Sequence, residues 1–399
     1  METKAIAFAG EYSLTRDKAG TLEKVRRETG ADLTAVITGG AFRADGTPHP
    51  LGSAGQQDAA LDAGADIVLR LPVIATLSGV DTQAFATMSL CDRVGAFENL
   101  MVPVHGIQLP LLEELAMFLF KEPMPYQKRV RQLLEEGLSP AKARAKGAEA
   151  FVPGAEQVLL DPLDSYAVEL RLAALRRYSR VKIVPVDVCS PEKRIDLRDV
   201  CSPEKRSDRT EACSPEVSSC PTAEKEDRKG EAEVHAPWDR LLAEELARYL
   251  SEKDTRTLRE QAQMTPSCPW QITENLVRCR DELLRCCSFM EMAETLSTVK
   301  VSPEQVRRGL LMLLLGIRLP NLSIAGLEAF CPYVRVDGMK SSSSGEWESV
   351  LRKAEARVIA RDGLVLSPVP PDESRMRLAA FDTAADALWN KIMSGRTAE

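Results

Sequence analysis

Residues 3–22, TKAIAFAGEYSLTRDKAGTL, decide the fold. They read as a strand over 4–9, a turn carrying Gly10, Glu11 and Tyr12, and a loop that opens a helix. An open α/β sheet keeps its nucleotide at such a place, at the carboxyl end of a strand beside a helix N-terminus. The first N–H groups of the helix have no intrahelical acceptor and attract phosphate.

The alternation continues downstream. A helix over 18–28 stops at Gly30, a strand spans 33–38, and a Gly-rich loop runs from Gly39 to Pro50. A helix over 56–63 precedes a strand over 66–71 that Pro72 closes; a helix over 83–94 precedes a strand over 99–104. Leu111, Leu112, Leu115, Phe118 and Leu119 share one helical face. Helices over 126–136, 140–150 and 161–177 lead to a last strand over 181–186. Strands separated by helices imply the α/β class, with a doubly wound, parallel, Rossmann-like sheet over residues 1–187.

From Val188 the composition changes. CSPEKRIDLRDV is followed by CSPEKRSDRTEA and CSPEV, which brings Cys189, Cys201 and Cys213 into register. Zinc ligands come in closer pairs than these. Residues 188–236 are charged, rich in Ser and Pro and poor in apolar side chains, which reads as a disordered, low-complexity insert. Helical periodicity resumes at Pro237, with Trp238, Leu241, Leu242, Leu246 and Leu250 on one stripe. Helices are expected over 255–263, 271–286, 289–296, 346–360 and 372–393, and a strand over 333–336. Ser302-Pro303-Glu304-Gln305 reads as a capped helix start and Gly316 as its stop. Residues 237–399 form a mainly helical C-terminal region.

At 399 residues the chain is long enough for two or three domains. A net charge of −7 argues against a surface that coats nucleic acid, so an RNA partner needs a local basic patch. The start lacks the basic, apolar pattern of a signal peptide, and no apolar run approaches the roughly 18 residues of a membrane span. Ten cysteines without a secretion signal suggest reduced thiols and a cytoplasmic protein. No set of metal ligands is expected. Nothing in the sequence sets the oligomeric state.

The order of landmarks is similar to that of the bacterial tRNA(Met) cytidine acetate ligases, a branch of the HIGH-motif nucleotidyltransferases. Gly30-Ala31-Asp32, Gly39-Gly40, Ala59-Ala60-Leu61, Gly64-Ala65-Asp66 and Leu71-Pro72 resemble family positions in order. So do Pro162 to Leu175, with Glu169 matching, Leu311 to Ile317, and Pro332-Tyr333-Val334-Arg335-Val336. The resemblance implies ATP-dependent activation of acetate to acetyl-adenylate and N4-acetylation of the wobble cytidine of tRNA, with magnesium arriving on the ATP. It places ATP against Gly10, Glu11, Tyr12, Gly20, Thr21 and Asp164.

The chain departs from the family at several of these places. Arg16 or Asp17 stands near the first histidine of the family's H-x-G-H, and Gly20-Thr21-Leu22 lies where G-H-L would be. Ser53, Ala54 and Gln56 replace K-W-x-R, and Leu163-Asp164 replace paired asparagines. No catalytic residue is assigned. The competing reading is a catalytically inactive relative that binds RNA, a nucleotide or a protein. Lys300, Arg307 and Arg308 are candidate RNA contacts, as is the cluster Arg171, Arg176, Arg177 and Arg180. His49, His105 and the Gly39-Gly40 pair sit at the expected ligand edge; polar surface and a plain turn explain them as well.

Overall fold

Every residue of β1 (Ala5–Ala9), β2 (Leu33–Thr38) and β3 (Ile67–Arg70) is buried, because each strand lies between helices on both faces. β4 (Phe97–Val104) and β5 (Lys182–Asp187) complete the parallel part of a seven-stranded sheet of order β5-β4-β1-β2-β3-β6-β7. The computed structural model describes residues 5–9, 21–187, 223–360 and 373–394. Within β1 the side chains alternate: Ala5, Ala7 and Ala9 join one core while Ile6 and Phe8 join the other.

The helices of the first half are α1 (Thr21–Thr29), α2 (Gly52–Asp62), α3 (Val73–Thr76), α4 (Val80–Val94) and α5 (Leu109–Lys121). They continue with α6 (Met124–Glu135), α7 (Pro140–Glu149), α8 (Ala155–Leu160) and α9 (Pro162–Arg177). α4, α5 and α9 cover one face of the sheet; Leu22 and Val25 of α1 with Ala60 of α2 cover the other. β1 pairs with β2 on one side and β4 on the other, so the strand order reverses between β1 and β4.

The second half contributes α10 (Ala223–Ser251), α11 (Thr255–Gln263), α12 (Trp270–Arg278), α13 (Arg280–Leu283) and α14 (Phe289–Leu296). It ends with α15 (Pro303–Leu315), α16 (Leu319–Leu327), β6 (Tyr333–Met339), α17 (Ser344–Leu351), β7 (Arg357–Ala360) and α18 (Glu373–Ser394). Ser302 Oγ accepts the Gln305 N–H at 3.3 Å, and Gly316 closes α15 at φ 74°. The expected start and stop of that helix are both present. No single described helix is long and apolar enough to cross a membrane.

Two expectations need correction. The helix expected over 346–360 ends at Leu351, and β7 follows, pairing in parallel with β6. Val358 and Ile359 are β-branched, and the sheet offers them the free edge of β6. β6 itself runs antiparallel to β3, so the C-terminal region adds two strands to the sheet of the first half. The helix expected over 271–286 breaks at Cys279, which lets the Arg280 guanidinium reach the Leu250 carbonyl at 2.6 Å and close α10. Of the expected insert, residues 188–222 lie outside the described residues, and helical backbone is described from Ala223. The good helix formers of 223–236 extend a helix whose later turns bury Trp238, Leu242 and Leu246.

Candidate functional site

Parallel strands bind ligands outside their carboxyl ends, where the strand order reverses. Here that crevice lies between β1 and β4. β4 runs out at Val104 into His105, and Gly106 turns the chain at φ 138°. The His105 N–H donates to Asp164 Oδ1 at 2.7 Å, and its ring Nδ1 lies 2.8 Å from Asp161 Oδ2. Asp161 caps α9, accepting the Leu163 and Asp164 N–H groups on Oδ1 at 2.9 and 3.0 Å, with Pro162 at the first helical position. The local sequence Asp-Pro-Leu-Asp therefore builds a helix start whose two carboxylates face the end of β4.

The two carboxylates differ. Burial pushes Asp161 up, but the bonds from His105 and from the Asp164 and Leu163 N–H groups outweigh it and hold the carboxyl below its ordinary range. Burial lifts Asp164 above its ordinary range against the His105 N–H, and the nearby negative charge of Asp161 adds to the rise. The Asp161 carboxylate favours a proton on His105 Nδ1 and fixes the orientation of the ring. Such a pair can orient a hydroxyl or amino group.

The wall beside β2 is closed from within. A Cβ on Gly40 (φ 87°) would lie 3.0 Å from Arg70 Cδ. Gln56 Nε2 donates to the Gly40 and Gly52 carbonyls at 2.6 and 2.9 Å, and Ser53 Oγ donates to Asp386 Oδ1 at 2.6 Å. Arg70, at the carboxyl end of β3, is held by Asp337 through two bonds of 2.7 Å and by Asp386 at 2.8 Å. Ser53 and Gln56 thus bond inward, while Ala54 is exposed. His49 is buried; its Nδ1 accepts the Leu51 N–H at 3.2 Å and its carbonyl accepts the Trp389 indole N–H at 2.8 Å. It fastens the loop to α18.

Of the expected ATP contacts, Asp164 stands in the crevice. Gly10, Glu11, Tyr12 and Gly20 lie outside the described residues, and Thr21 opens α1. Lys300 is exposed in the turn between Thr298 and Val301. Arg307 is buried, donating to the Asp45 carbonyl at 3.0 Å, and Arg308 donates to the Ala44 carbonyl at 3.2 Å. Burial holds the Arg308 guanidinium below its usual range. Those two arginines clamp the Gly-rich loop, and RNA would have to draw them from its carbonyls. In the α9 cluster Arg171 pairs with Glu113 and Arg177 with Asp92, both at 2.8 Å, while Arg176 and Arg180 are exposed. Among the described residues no group of three His, Cys, Asp or Glu side chains could hold a metal ion. Sequence reading marked His105 but missed Asp161 as its partner; the signal was an Asp-Pro helix start after a strand-end histidine.

Sheet order, crevice and flanking helices define a nucleotidyltransferase-like α/β protein. The chain belongs to the HIGH nucleotidyl transferase family, whose profile matches residues 20–394. Among curated relatives it is 28% identical over 123 residues to the tRNA(Met) cytidine acetate ligase of Clostridium botulinum (strain Okra / Type B1), covering 31% of this chain and 30% of that protein. It is 27% identical over 131 residues to the same-named ligase of Clostridium kluyveri (strain ATCC 8527), covering 33% and 32%. The matched region thus spans about a third of the length of these relatives. Among solved structures, Thermotoga maritima TmcAL bound with alpha-thio ATP superposes with TM-score 0.73 at 15% identity, over 98% of this chain and 94% of that one. The apo form superposes with TM-score 0.72. That likeness is one of fold.

Proposed function

We propose that the chain is a nucleotide- and tRNA-binding protein of the tRNA(Met) cytidine acetate ligase type, with ATP in the crevice between the carboxyl ends of β1 and β4. The observation that supports this reading is the His105–Asp161 pair at the switch point, with ring nitrogen and carboxylate 2.8 Å apart. The Asp164 charge repels phosphate. This wall therefore suits the hydroxyl or amino groups of the nucleoside; the family resemblance gives the remaining ATP contacts to Gly10, Glu11, Tyr12, Gly20 and Thr21, the first four outside the described residues. In the reaction that descent suggests, an acetate oxygen attacks the α-phosphorus and pyrophosphate leaves. The cytidine N4 then attacks the acetyl carbon, losing a proton as AMP departs.

A second reading, a catalytically inactive module that binds nucleotide or RNA, is favoured by the inward bonding of Ser53, Gln56 and Arg70. Calorimetry with ATP and magnesium separates the outcomes. Saturable binding is expected, weakened about tenfold by His105→Ala, the worth of one hydrogen bond. Acetate-dependent pyrophosphate release then supports the ligase. Binding without release leaves the silent module. Absence of heat at millimolar nucleotide removes ATP from both readings.

A further inference from the structure

Among the described residues, α6 and α7 form a strongly basic hairpin on an acidic chain. α6 and α7, joined by a short turn, read YQKRVRQLLEEGLSPAKARAKG over 126–147. Lys128, Arg129, Arg131, Lys142 and Lys146, with Lys121 at the end of α5, are all exposed. The exposed carboxylates on the same segment are Glu122, Glu135 and Glu136, the last two at the turn. Arg129 reaches Glu136 at 4.0 Å; Lys121, Lys128, Arg131, Lys142 and Lys146 form no ion pair with a described residue. Like charges left unpaired on adjacent helices cost free energy, and a bound polyanion would relieve it.

The hairpin is fixed rather than loose. Gly147 lets α7 approach α6 so closely that a Cβ there would lie 2.7 Å from Val130 Cγ2. Tyr126 packs edge-on against Phe118 at 5.2 Å. Arg144, the inward-turned cation of α7, pairs with Glu169, which is 3% exposed on α9. α9 is the helix whose first turn holds Asp161 and Asp164, so the basic hairpin and the crevice share one rigid element.

We propose that the α6–α7 hairpin is the RNA-docking surface of this protein, with Lys121, Lys128, Arg131, Lys142 and Lys146 on the phosphates. This rests on the tRNA reading above and adds its place. The rest of the chain, net negative, repels a polyanion and confines it to this projection. Phe120, 42% exposed near the end of α5, offers a ring face to an unstacked base, and Phe151, 43% exposed just beyond α7 and stacked on Phe118, offers its outer face. A membrane does not fit as well: an interfacial helix needs a free apolar face. In α6, Tyr126 and Leu133 are buried in the fold, and the exposed Met124 and Leu134 sit at opposite ends of the helix rather than on one stripe.

The test is a salt titration of full-chain affinity for a tRNA(Met) transcript, across roughly 50 to 200 mM salt. The quadruple variant Lys128→Gln, Arg131→Gln, Lys142→Gln, Lys146→Gln should lower the log–log slope by about 3 and weaken binding about 100-fold or more. A control with Arg240→Gln, Arg256→Gln and Arg377→Gln, exposed in the second half, should leave the slope unchanged. Equal melting temperatures exclude misfolding. An unchanged slope in the quadruple variant, or an equal loss in the control, overturns the hairpin while leaving RNA binding in place. A chain that binds neither tRNA nor ATP overturns the functional reading itself. Capture of anionic vesicles or an acidic polypeptide in place of tRNA overturns the assignment to RNA.

Discussion

His49 shows how burial decides the role of a single side chain. Its imidazole is 3% exposed, and burial first, then the charge of Arg43, lowers its pKa to about 3. The neutral ring accepts the Leu51 N–H, which an imidazolium cannot do through the same nitrogen. Because the folded pKa lies below the unfolded one, the unfolded chain takes up a proton that the folded chain refuses. Stability should therefore be full above pH ~6.5 and fall with acid down to the folded pKa, by about 2 kcal/mol at pH ~5. Urea midpoints of the native chain and His49→Gln between these two pH values check this. The native chain should lose more than the variant over that interval; parallel losses would remove the buried imidazole as the cause.

At the scale of the element, Gly147 and Gly345, both inside helices, make opposite predictions. Glycine costs a helix up to about 1 kcal/mol relative to alanine. At Gly345 in α17 an added Cβ meets nothing within 4 Å, so Gly345→Ala should stabilise by a few tenths of a kcal/mol or more. At Gly147 the Cβ meets Val130 at 2.7 Å and the Tyr126 ring at 3.3 Å. Overpacking there should outweigh the propensity gain, so Gly147→Leu should cost about 1–3 kcal/mol in urea unfolding. If both substitutions stabilise, the α6–α7 contact is looser than its spacing states. The same contact holds the two helices of the hairpin together although most of its surface is polar.

The whole molecule is closed by α18 through buried charges. Asp382 accepts the Val73 N–H at 2.8 Å and the Tyr333 hydroxyl at 2.7 Å, tying α3 and β6 to one carboxylate. Burial raises its pKa despite the nearby guanidinium groups of Arg70 and Arg335. Asp386 holds Arg70 and Ser53, and the Trp389 ring lies against Gly52, where a Cβ would be 2.7 Å away. Removing one partner of a buried pair leaves a charge without compensation. Asp337→Ala, which strips Arg70 of its two-bond partner, should cost about 3–5 kcal/mol in chemical denaturation. A loss below about 1 kcal/mol would mean that Asp386 and Asp382 suffice to hold that charge.

Local chemistry along the chain determined the alternation of strands and helices. Both-face burial makes β2 rich in apolar and β-branched residues, amphipathic period sets α11 and α14, and Ser302 and Gly316 mark the ends of α15 through backbone groups within a turn of each. Those signals act between neighbours, so composition and spacing carry them. The tertiary structure alone decided that β6 joins β3 antiparallel, that 357–360 becomes a strand, and that Arg70 meets Asp337 and Asp386. It also decided that His105 meets Asp161 and that two expected RNA-facing arginines turn inward onto the Gly-rich loop. In each case the partners are far apart in the chain. Their attraction depends on a distance and a dielectric that exist only after the core has formed.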